Sequence, residues 1–137
     1  MYNYLLPLIL ILFSSCQKKA YDEYYSFQND EWHTDSLVMF KHFVKDTIKP
    51  YDISLKIRHN VNYEFQNIFV FLQGEFTDTL ELFLANKHGK WLGKGVSDIR
   101  EKEYIFKKAN VFSKKGEHIF IFEQAMRHGD LEKIEKL

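Results

Sequence analysis

Apolar and polar side chains alternate with a period of two along most of the chain after residue 36. The clearest run lies between Tyr51 and His59, where odd positions up to residue 57 are apolar or aromatic and even positions are polar. This alternation is typical of a strand with one buried and one solvated face. Strands are also predicted at residues 37–44, 77–85, 104–106 and 118–125. Residues 67–73 are almost continuously apolar and predict a central strand covered on both faces.

Short strands at near-regular spacing, separated by turns such as residues 86–89 and 114–116, predict the fold class. We expect residues 31–137 to form one all-β domain, an antiparallel β-sandwich of jelly-roll or immunoglobulin-like type. A barrel is the alternative. The polar tail from Asp130 to Leu137 is expected to make a turn of helix. No βαβ spacing is present, which argues against a parallel nucleotide-binding sheet.

The N-terminus has a different pattern. Residues 5–13 form an apolar run that is too short for a bilayer-spanning helix, which needs about 20 residues, and that matches the apolar part of an export signal. The small residues Ser14 and Ser15 then precede Cys16. Phe13-Ser14-Ser15-Cys16 resembles a bacterial lipobox with Phe in place of the more usual Leu. The alternative is a buried apolar N-terminal strand with an ordinary core cysteine.

The lipobox resemblance predicts three segments. Residues 1–15 are the lipoprotein signal peptide, residues 16–30 a lipidated tether, and residues 31–137 the sandwich domain. The resemblance implies a diacylglyceryl thioether on Cys16, cleavage before it, and acylation of the new amino group. Two or more acyl chains hold a protein stably at a bilayer, whereas one holds it weakly.

Charge and composition limit the classes of molecule that this protein is expected to bind. The 137 residues carry 19 Lys and Arg and 19 Asp and Glu, so the net charge is zero. This balance argues against nucleic acid as a partner, because binding to phosphates needs clustered Lys and Arg. The single cysteine cannot form an internal disulfide, which leaves lipid attachment as its clearest use.

Motifs for chemistry are weak. No His pair has the spacing of an HExxH-like metal site, and no Gly-x-Ser-x-Gly elbow is present. We therefore expect no enzyme activity, no cofactor and no metal. One alternative remains open, in which His42, His59 and His118 converge across the sheets and bind zinc with a carboxylate.

Two surface features are candidates for binding. Arg58, Asn60 and Asn67 are predicted to form a partner-facing polar cluster, although Arg58 alone would also suit bridging of strand-end carbonyls. The high aromatic content, with 13 Phe, 8 Tyr and 2 Trp, also allows a lipid-anchored glycan-binding module. The candidate residues for that platform are Tyr51, Tyr63, Trp91 and Tyr104.

Ordered sequence blocks after Cys16 resemble the GldH family of gliding-motility-associated lipoproteins. The most specific blocks are residues 89–99, GKWLGKGVSDI, and residues 123–127, EQAMR. Further blocks lie at residues 43–46, 51–60, 63–68 and 78–81. The chain departs from the family in ending soon after Leu131, where a final strand often follows.

The resemblance implies a non-enzymatic envelope lipoprotein linked to gliding motility and the associated protein-secretion machinery. It carries over no catalytic residue, only Cys16 as the lipid site. The implied partners are the lipid bilayer, through acylated Cys16, and envelope proteins of a motility or secretion complex. Because no acidic run follows Cys16, we expect the anchor to lie in the outer membrane and the domain to face the periplasm.

Overall fold

The computed structural model describes residues 19–137, and strands dominate this part of the chain. One short 3-10 helix, Gln28–Asp30, precedes the first strand. No helix in the range 19–137 has the length and apolar character needed to cross a bilayer. The strands are β1 (Glu31–Trp32), β2 (Leu37–Val44), β3 (Tyr51–Asn60), β4 (Asn67–Gly74), β5 (Asp78–Phe83), β6 (Ile99–Asn110), β7 (Gly116–Gln124), β8 (Leu131–Glu132) and β9 (Ile134–Lys136).

Two packed antiparallel sheets form the body of the domain. The larger sheet has the strand order β2-β7-β4-β5, and the smaller has the order β6-β3-β9. A two-stranded ribbon of β1 and β8 lies beside them. The prediction of an all-β antiparallel sandwich is therefore confirmed.

Strand β3 shows how the sequence pattern produces the core. Leu55, Ile57 and His59 are buried, whereas Asp52 and Ser54 are exposed, as the alternation predicts. Strand β2 repeats this pattern with buried Val38, Phe40 and Val44. Full burial of an aliphatic or Phe side chain contributes about 1.5–3 kcal/mol, so the inward residues of the two sheets supply most of the stabilisation.

Strand β4 differs from its prediction. It is internal in the larger sheet, between β7 and β5, but only one of its faces is covered. Ile68, Val70 and Leu72 are buried, whereas Phe69 and Phe71 are exposed. The prediction of a strand covered on both faces is therefore wrong. A continuous apolar run indicates burial only if a second layer exists, and here no described element covers the outer side.

The C-terminal tail is a pair of short strands, so the predicted turn of helix is wrong. Leu131 and Ile134 both point into the core despite their spacing of three. Lys133, between them, has a left-handed backbone with φ 67°, which reverses the alternation. Strand β9 then pairs with β3 and adds a third strand to the smaller sheet.

Part of the predicted tether packs against the domain. Tyr25 exchanges backbone hydrogen bonds with Leu137 at 2.8 and 3.0 Å, and the Phe27 N–H donates to the Glu135 carbonyl at 3.0 Å. Phe27 is 8% exposed and stacks on Trp32 with ring centroids 4.9 Å apart. Residues 25–27 thus extend the smaller sheet beyond β9, and ordered structure begins before residue 31.

Strand β6 is longer than predicted. The sequence indicated residues 104–106, whereas the strand runs from Ile99 to Asn110. Charged side chains flank its apolar centre and conceal the period. The strand is an edge strand with little burial, and edge strands often carry Lys because it discourages pairing with other chains.

Phe27→Ala tests whether the segment before residue 31 contributes to folding. The substitution is expected to lower the free energy of unfolding by about 3 kcal/mol, because it removes a buried ring from the contact with Trp32. Chemical denaturation of the mature chain measures this. Tyr24→Ala is the matched control. Tyr24 is 70% exposed and has the Lys136 ammonium over its ring at 4.3 Å, so its loss should cost less than about 1 kcal/mol. Equal effects would mean that the segment is a free tether.

Candidate functional site

The predicted polar cluster does not form one site. Arg58 lies on the outer face of the smaller sheet and donates to Glu101 from Nε at 3.0 Å and from Nη2 at 2.9 Å. Asn67 lies on β4 of the larger sheet, where its amide donates to Glu81 at 2.7 Å. Asn60 accepts the Asn62 N–H at 2.9 Å through its side-chain oxygen and so supports the turn after β3. Each residue therefore has a local structural partner, and Arg58 and Asn67 lie in different sheets.

The outer face of the smaller sheet is a charged face. Lys56 donates to Asp22 at 3.2 Å, and Asp22 also accepts from Lys19 at 3.1 Å. Glu103 stands opposite Lys56 on the neighbouring strand and accepts from Ser54. These pairs are solvent-exposed, so each contributes at most about 1 kcal/mol. Their importance is positional, because they hold the start of the described chain against this face.

The three histidines of the zinc hypothesis are not brought together. His42 and His118 are opposite one another on β2 and β7 of the larger sheet, whereas His59 lies on β3 of the smaller sheet. The His118 ring nitrogens face two acceptors, the Glu75 carboxylate at 2.6 Å and the Lys114 carbonyl at 2.8 Å. Burial opposes charge on His118, but these two acceptors outweigh it and raise the pKa of the imidazole.

His42 and His59 have the opposite tendency. Burial lowers the pKa of His42, and the nearby His118 adds to this effect. Burial likewise lowers the pKa of His59, with Arg100 acting in the same direction and the Asn60 carbonyl opposing it. The three histidines therefore differ in their environments and lie in two different sheets. They do not form one metal-binding site.

His59 is the most constrained polar side chain in the described residues. It is 0% exposed, and its Nδ1 lies 2.9 Å from the Asn60 carbonyl. Its Nε2 has no hydrogen-bond partner within residues 19–137. The Trp91 ring packs on the imidazole with centroids 4.6 Å apart, and Tyr63 packs at 6.0 Å. His59 thus behaves as a neutral aromatic core residue.

The loop that carries Trp91 explains the most specific sequence block. A Cβ on Gly93 would meet the Glu101 carbonyl oxygen at 2.9 Å, and one on Gly95 would meet the Ile99 carbonyl oxygen at 1.9 Å. Lys94 and Glu101 exchange backbone hydrogen bonds at 2.9 and 2.8 Å. The glycines let the loop lie directly against β6, and Trp91 closes it over His59. The block is structural in this arrangement.

The aromatic residues of the glycan hypothesis do not share a platform. Tyr63 is buried and packs with Trp91 around His59. Tyr51 contacts Phe112 with centroids 5.6 Å apart, at the other end of β3 and roughly 25 Å away along the strand. Tyr104 lies in a groove of about 500 Å³ between β5 and β6, and its hydroxyl donates to the Phe83 carbonyl. Their contacts are those of core and groove residues.

One cluster was not found from the sequence. Glu31, His33 and Asp130 have ligand-type atoms within 4.8 Å of one another, which is the one such group in residues 19–137. His33 Nδ1 lies 3.2 Å from Asp130, and a hydrogen bond to that carboxylate raises the pKa of His33. The contact between His33 and Asp130 is exposed and links the residue after β1 to the residue before β8. Its residues are far apart in sequence and show no ligand spacing.

A second missed feature is the outer side of the larger sheet, which we call the outer apolar face. Its exposed large residues range from 36% exposure at Phe69 to 61% at Phe43. Ile119 and Ile121 on β7 are half-buried between them. The exposed members are Leu37, Met39, Phe43, Phe69, Phe71 and Phe83. The apolar run at residues 67–73 is almost continuous and predicts burial of Phe69 and Phe71, and the sequence does not predict that the outward residues of β2, β4 and β5 share one exposed face.

The family comparison agrees with the fold and with the sequence blocks. The profile of the GldH lipoprotein family matches residues 19–137. The chain belongs to this family. It is 40% identical over 136 residues to a protein from Christiangramia forsetii named gliding motility lipoprotein GldH homolog, with 93% of this chain and 83% of that protein aligned. It is 37% identical over 140 residues to the gliding motility lipoprotein GldH of Flavobacterium johnsoniae, with 97% and 86% aligned. No solved structure matches the chain.

The contrast between His59 and His118 predicts opposite effects of pH on stability. The pKa of His59 is lowered from 6.5 in the folded state, so the unfolded chain takes up the proton first. Its contribution to stability is complete above pH 6.5 and is lost as pH falls below that value. His59→Phe should therefore reduce the loss of stability between pH 7.5 and pH 5.5, by at most about 1.4 kcal/mol per pH unit.

His118 supplies the internal control with the reverse sign. Its folded-state pKa is raised above 6.5, so its contribution is complete below pH 6.5 and is lost as pH rises through the folded value. His118→Gln should make acid more destabilising relative to the wild type. Urea unfolding at several pH values measures both slopes. Slopes that change in the same direction in the two variants would contradict the assignment.

Proposed function

We propose that this protein is a non-enzymatic envelope lipoprotein that serves as a component or assembly partner of the gliding-motility machinery and its associated protein-secretion machinery. The observation that carries the proposal is the family match, which covers the domain from residue 19 to residue 137. Two relatives aligned over more than nine-tenths of this chain bear names that place them in gliding motility. Neither name denotes an enzyme.

The lipid site of the proposal is Cys16, which lies outside the described residues. The apolar run at 5–13 and the small residues Ser14 and Ser15 supply the features of a lipoprotein signal. Three acyl chains on Cys16 would bind a bilayer far more stably than the marginal hold of a single chain. The proposed location is the outer membrane, with the domain facing the periplasm.

The anchor would hold the domain close to the bilayer. From Cys16 to Lys19 the chain spans at most about 10 Å when fully extended. Lys19 is already paired with Asp22 on the charged face. The free tether in this proposal is therefore much shorter than residues 16–30, because Tyr25 and Phe27 belong to the folded domain.

The non-enzymatic part of the proposal is supported by how the candidate side chains are used. Arg58 is held by Glu101, His118 by Glu75, and His59 by its aromatic neighbours. These contacts position and stabilise strands. A protein of this kind would act through its surfaces and its anchor.

Cys16→Ala tests the anchor. The variant should lose incorporation of an alkyne-labelled fatty acid and accumulate as uncleaved precursor, because the thiol is the proposed attachment point. Ser14→Ala is the matched control, since it keeps a small residue at the neighbouring position. Labelling, gel mobility and membrane fractionation measure the outcome. A Cys16→Ala variant that is processed and retained in the membrane like the wild type would refute lipidation at this site.

Deletion of the gene tests the machinery. Colony spreading and secretion through the associated machinery should both fall, and wild-type protein should restore them while Cys16→Ala should not. Secretion is the more general readout, because it applies to cells that do not glide. Unchanged spreading, secretion and envelope-complex assembly in the deletion strain would count against the proposed role.

A further inference from the structure

The outer apolar face is unusual for the solvent side of an antiparallel sheet. Such sheets normally alternate apolar residues inward with polar residues outward. Here Leu37, Met39 and Phe43 point outward from β2, and Phe69 and Phe71 point outward from β4. Contiguous exposed apolar patches on soluble domains mark surfaces that bind proteins or membranes.

One of the three Glu side chains on this face has apolar neighbours on both adjacent strands. Glu123 lies directly between Leu37 on β2 and Phe71 on β4 in the register of the sheet, and it is half-buried. Within residues 19–137 no Lys, Arg or His forms an ion pair with it. The two other Glu residues of the face are engaged, Glu117 with Lys41 at 3.4 Å and Glu81 with the Asn67 amide at 2.7 Å.

The Glu123 carboxylate and its apolar neighbours restrict the kind of surface that can cover this face. Covering the face would remove Glu123 from water, which is costly unless a cation arrives with the covering surface. The surface that covers this face must therefore be largely apolar and must bring one cation to Glu123. A protein surface with an apolar patch that contains a Lys or Arg meets both requirements. Complementary charge of this kind also fixes the register of the partners.

The bilayer is a poor fit for this face. Lys19, the first described residue, is paired through Asp22 with Lys56 on the charged face of the opposite sheet, while the Tyr21 ring reaches the edge of the larger sheet, 5.0 Å from the inward-facing ring of His42. The chain from Cys16 to Lys19 reaches about 10 Å, which equals the separation of the two sheets alone, before their outward side chains are added. An anchor at this point favours an orientation with the charged face nearer the membrane than the outer apolar face, and the interior of a bilayer supplies no cation for Glu123.

A second copy is also a poor fit. Symmetric face-to-face pairing would apply the same patch twice and would bring two Glu123 carboxylates into one apolar interface. Like charges without cations disfavour that arrangement. The second anchor would also lie on the far side of the pair.

We propose that the outer apolar face docks a different protein of the envelope, through an apolar patch whose Lys or Arg pairs with Glu123. The orientation of this face rests on the lipid anchor in the proposed function. The interface faces away from the bilayer that holds Cys16. The charged face lies against the membrane and leaves the larger sheet free for the partner.

Site-specific photocrosslinking of the full lipidated chain in living cells tests this inference. Benzoylphenylalanine replaces Phe71 in one strain and Ser54 in a second, because both positions point outward, one from each sheet. The probe at position 71 should give one discrete protein adduct, whereas the probe at position 54 should give lipid adducts. Mass spectrometry identifies the crosslinked peptide and its nearby basic residues.

Charge reversal supplies the decisive step. Glu123→Lys should reduce the adduct at position 71 at least about tenfold, because the basic residue of the partner would then face a like charge inside an apolar interface. Glu117→Lys is the matched control, and it should leave the adduct unchanged because Glu117 pairs within its own sheet. In the Glu123→Lys strain, replacing the basic residue of the crosslinked partner peptide with Glu should restore the adduct, because the charge pair is then re-formed with its signs exchanged.

The alternatives give distinct results. An adduct of twice the chain's mass would mean that a second copy covers the face. Lipid adducts at position 71 would mean that the bilayer covers it. An adduct that is insensitive to Glu123→Lys would refute the proposed charge pair. No adduct would also overturn the inference. Membrane fractionation of each strain separates this failure from that of the proposed function: an anchored protein without the adduct refutes only the docking, whereas a protein released from the membrane refutes the anchor.

Discussion

The central position of β3 is the constraint on which the smaller sheet depends. Strand β3 pairs with β6 on one side and with β9 on the other, and residues 25–27 pair with the far side of β9. The beginning and the end of the described chain therefore meet at one sheet edge. The buried face of β3 presents Leu55, Ile57 and His59 to the core. A shift of register by one residue would expose all three and would bury the charged face.

The strands that the sequence predicted well are those with one wet and one dry face. Strand β3 alternates cleanly because its outward residues are polar, whereas β2 and β7 were located by their apolar content, since Leu37, Met39, Phe43, Ile119 and Ile121 point outward from them. Strand β4 was located correctly but its environment was not, because Phe69 and Phe71 give the same sequence signal whether a second layer covers them or not. Lys133 concealed β8 and β9, since a single left-handed residue turns a strand pair into a spacing of three that mimics a helix.

The candidate site was harder to predict than the fold, because it depends on which residues remain unpaired. Arg58 stood out as a charge on the clearest strand, yet Glu101, more than forty positions later, lies opposite it in register. Glu123 did not stand out at all. Its distinction comes from the absence of a described partner and from the apolar neighbours that β2 and β4 supply, and both arise from strand order. Cys16 could be singled out because a signal segment acts through local sequence.

The total charge of the chain is zero, but its charged and apolar side chains are distributed unequally between the outer faces of the two sheets. The outer face of the smaller sheet carries charge pairs such as Lys56 with Asp22 and Arg58 with Glu101. The outer apolar face carries large side chains and one half-buried carboxylate without a described cation. The described chain begins beside the charged face, where Asp22 accepts from Lys56, and Tyr21 reaches His42 on β2. Under the proposed lipidation of Cys16, an anchor a few residues earlier would therefore bias the orientation of both surfaces. The packing of Tyr25 and Phe27 against the C-terminus limits the free chain to the residues before Tyr25, and a longer free segment would weaken this bias because reach grows with each added residue.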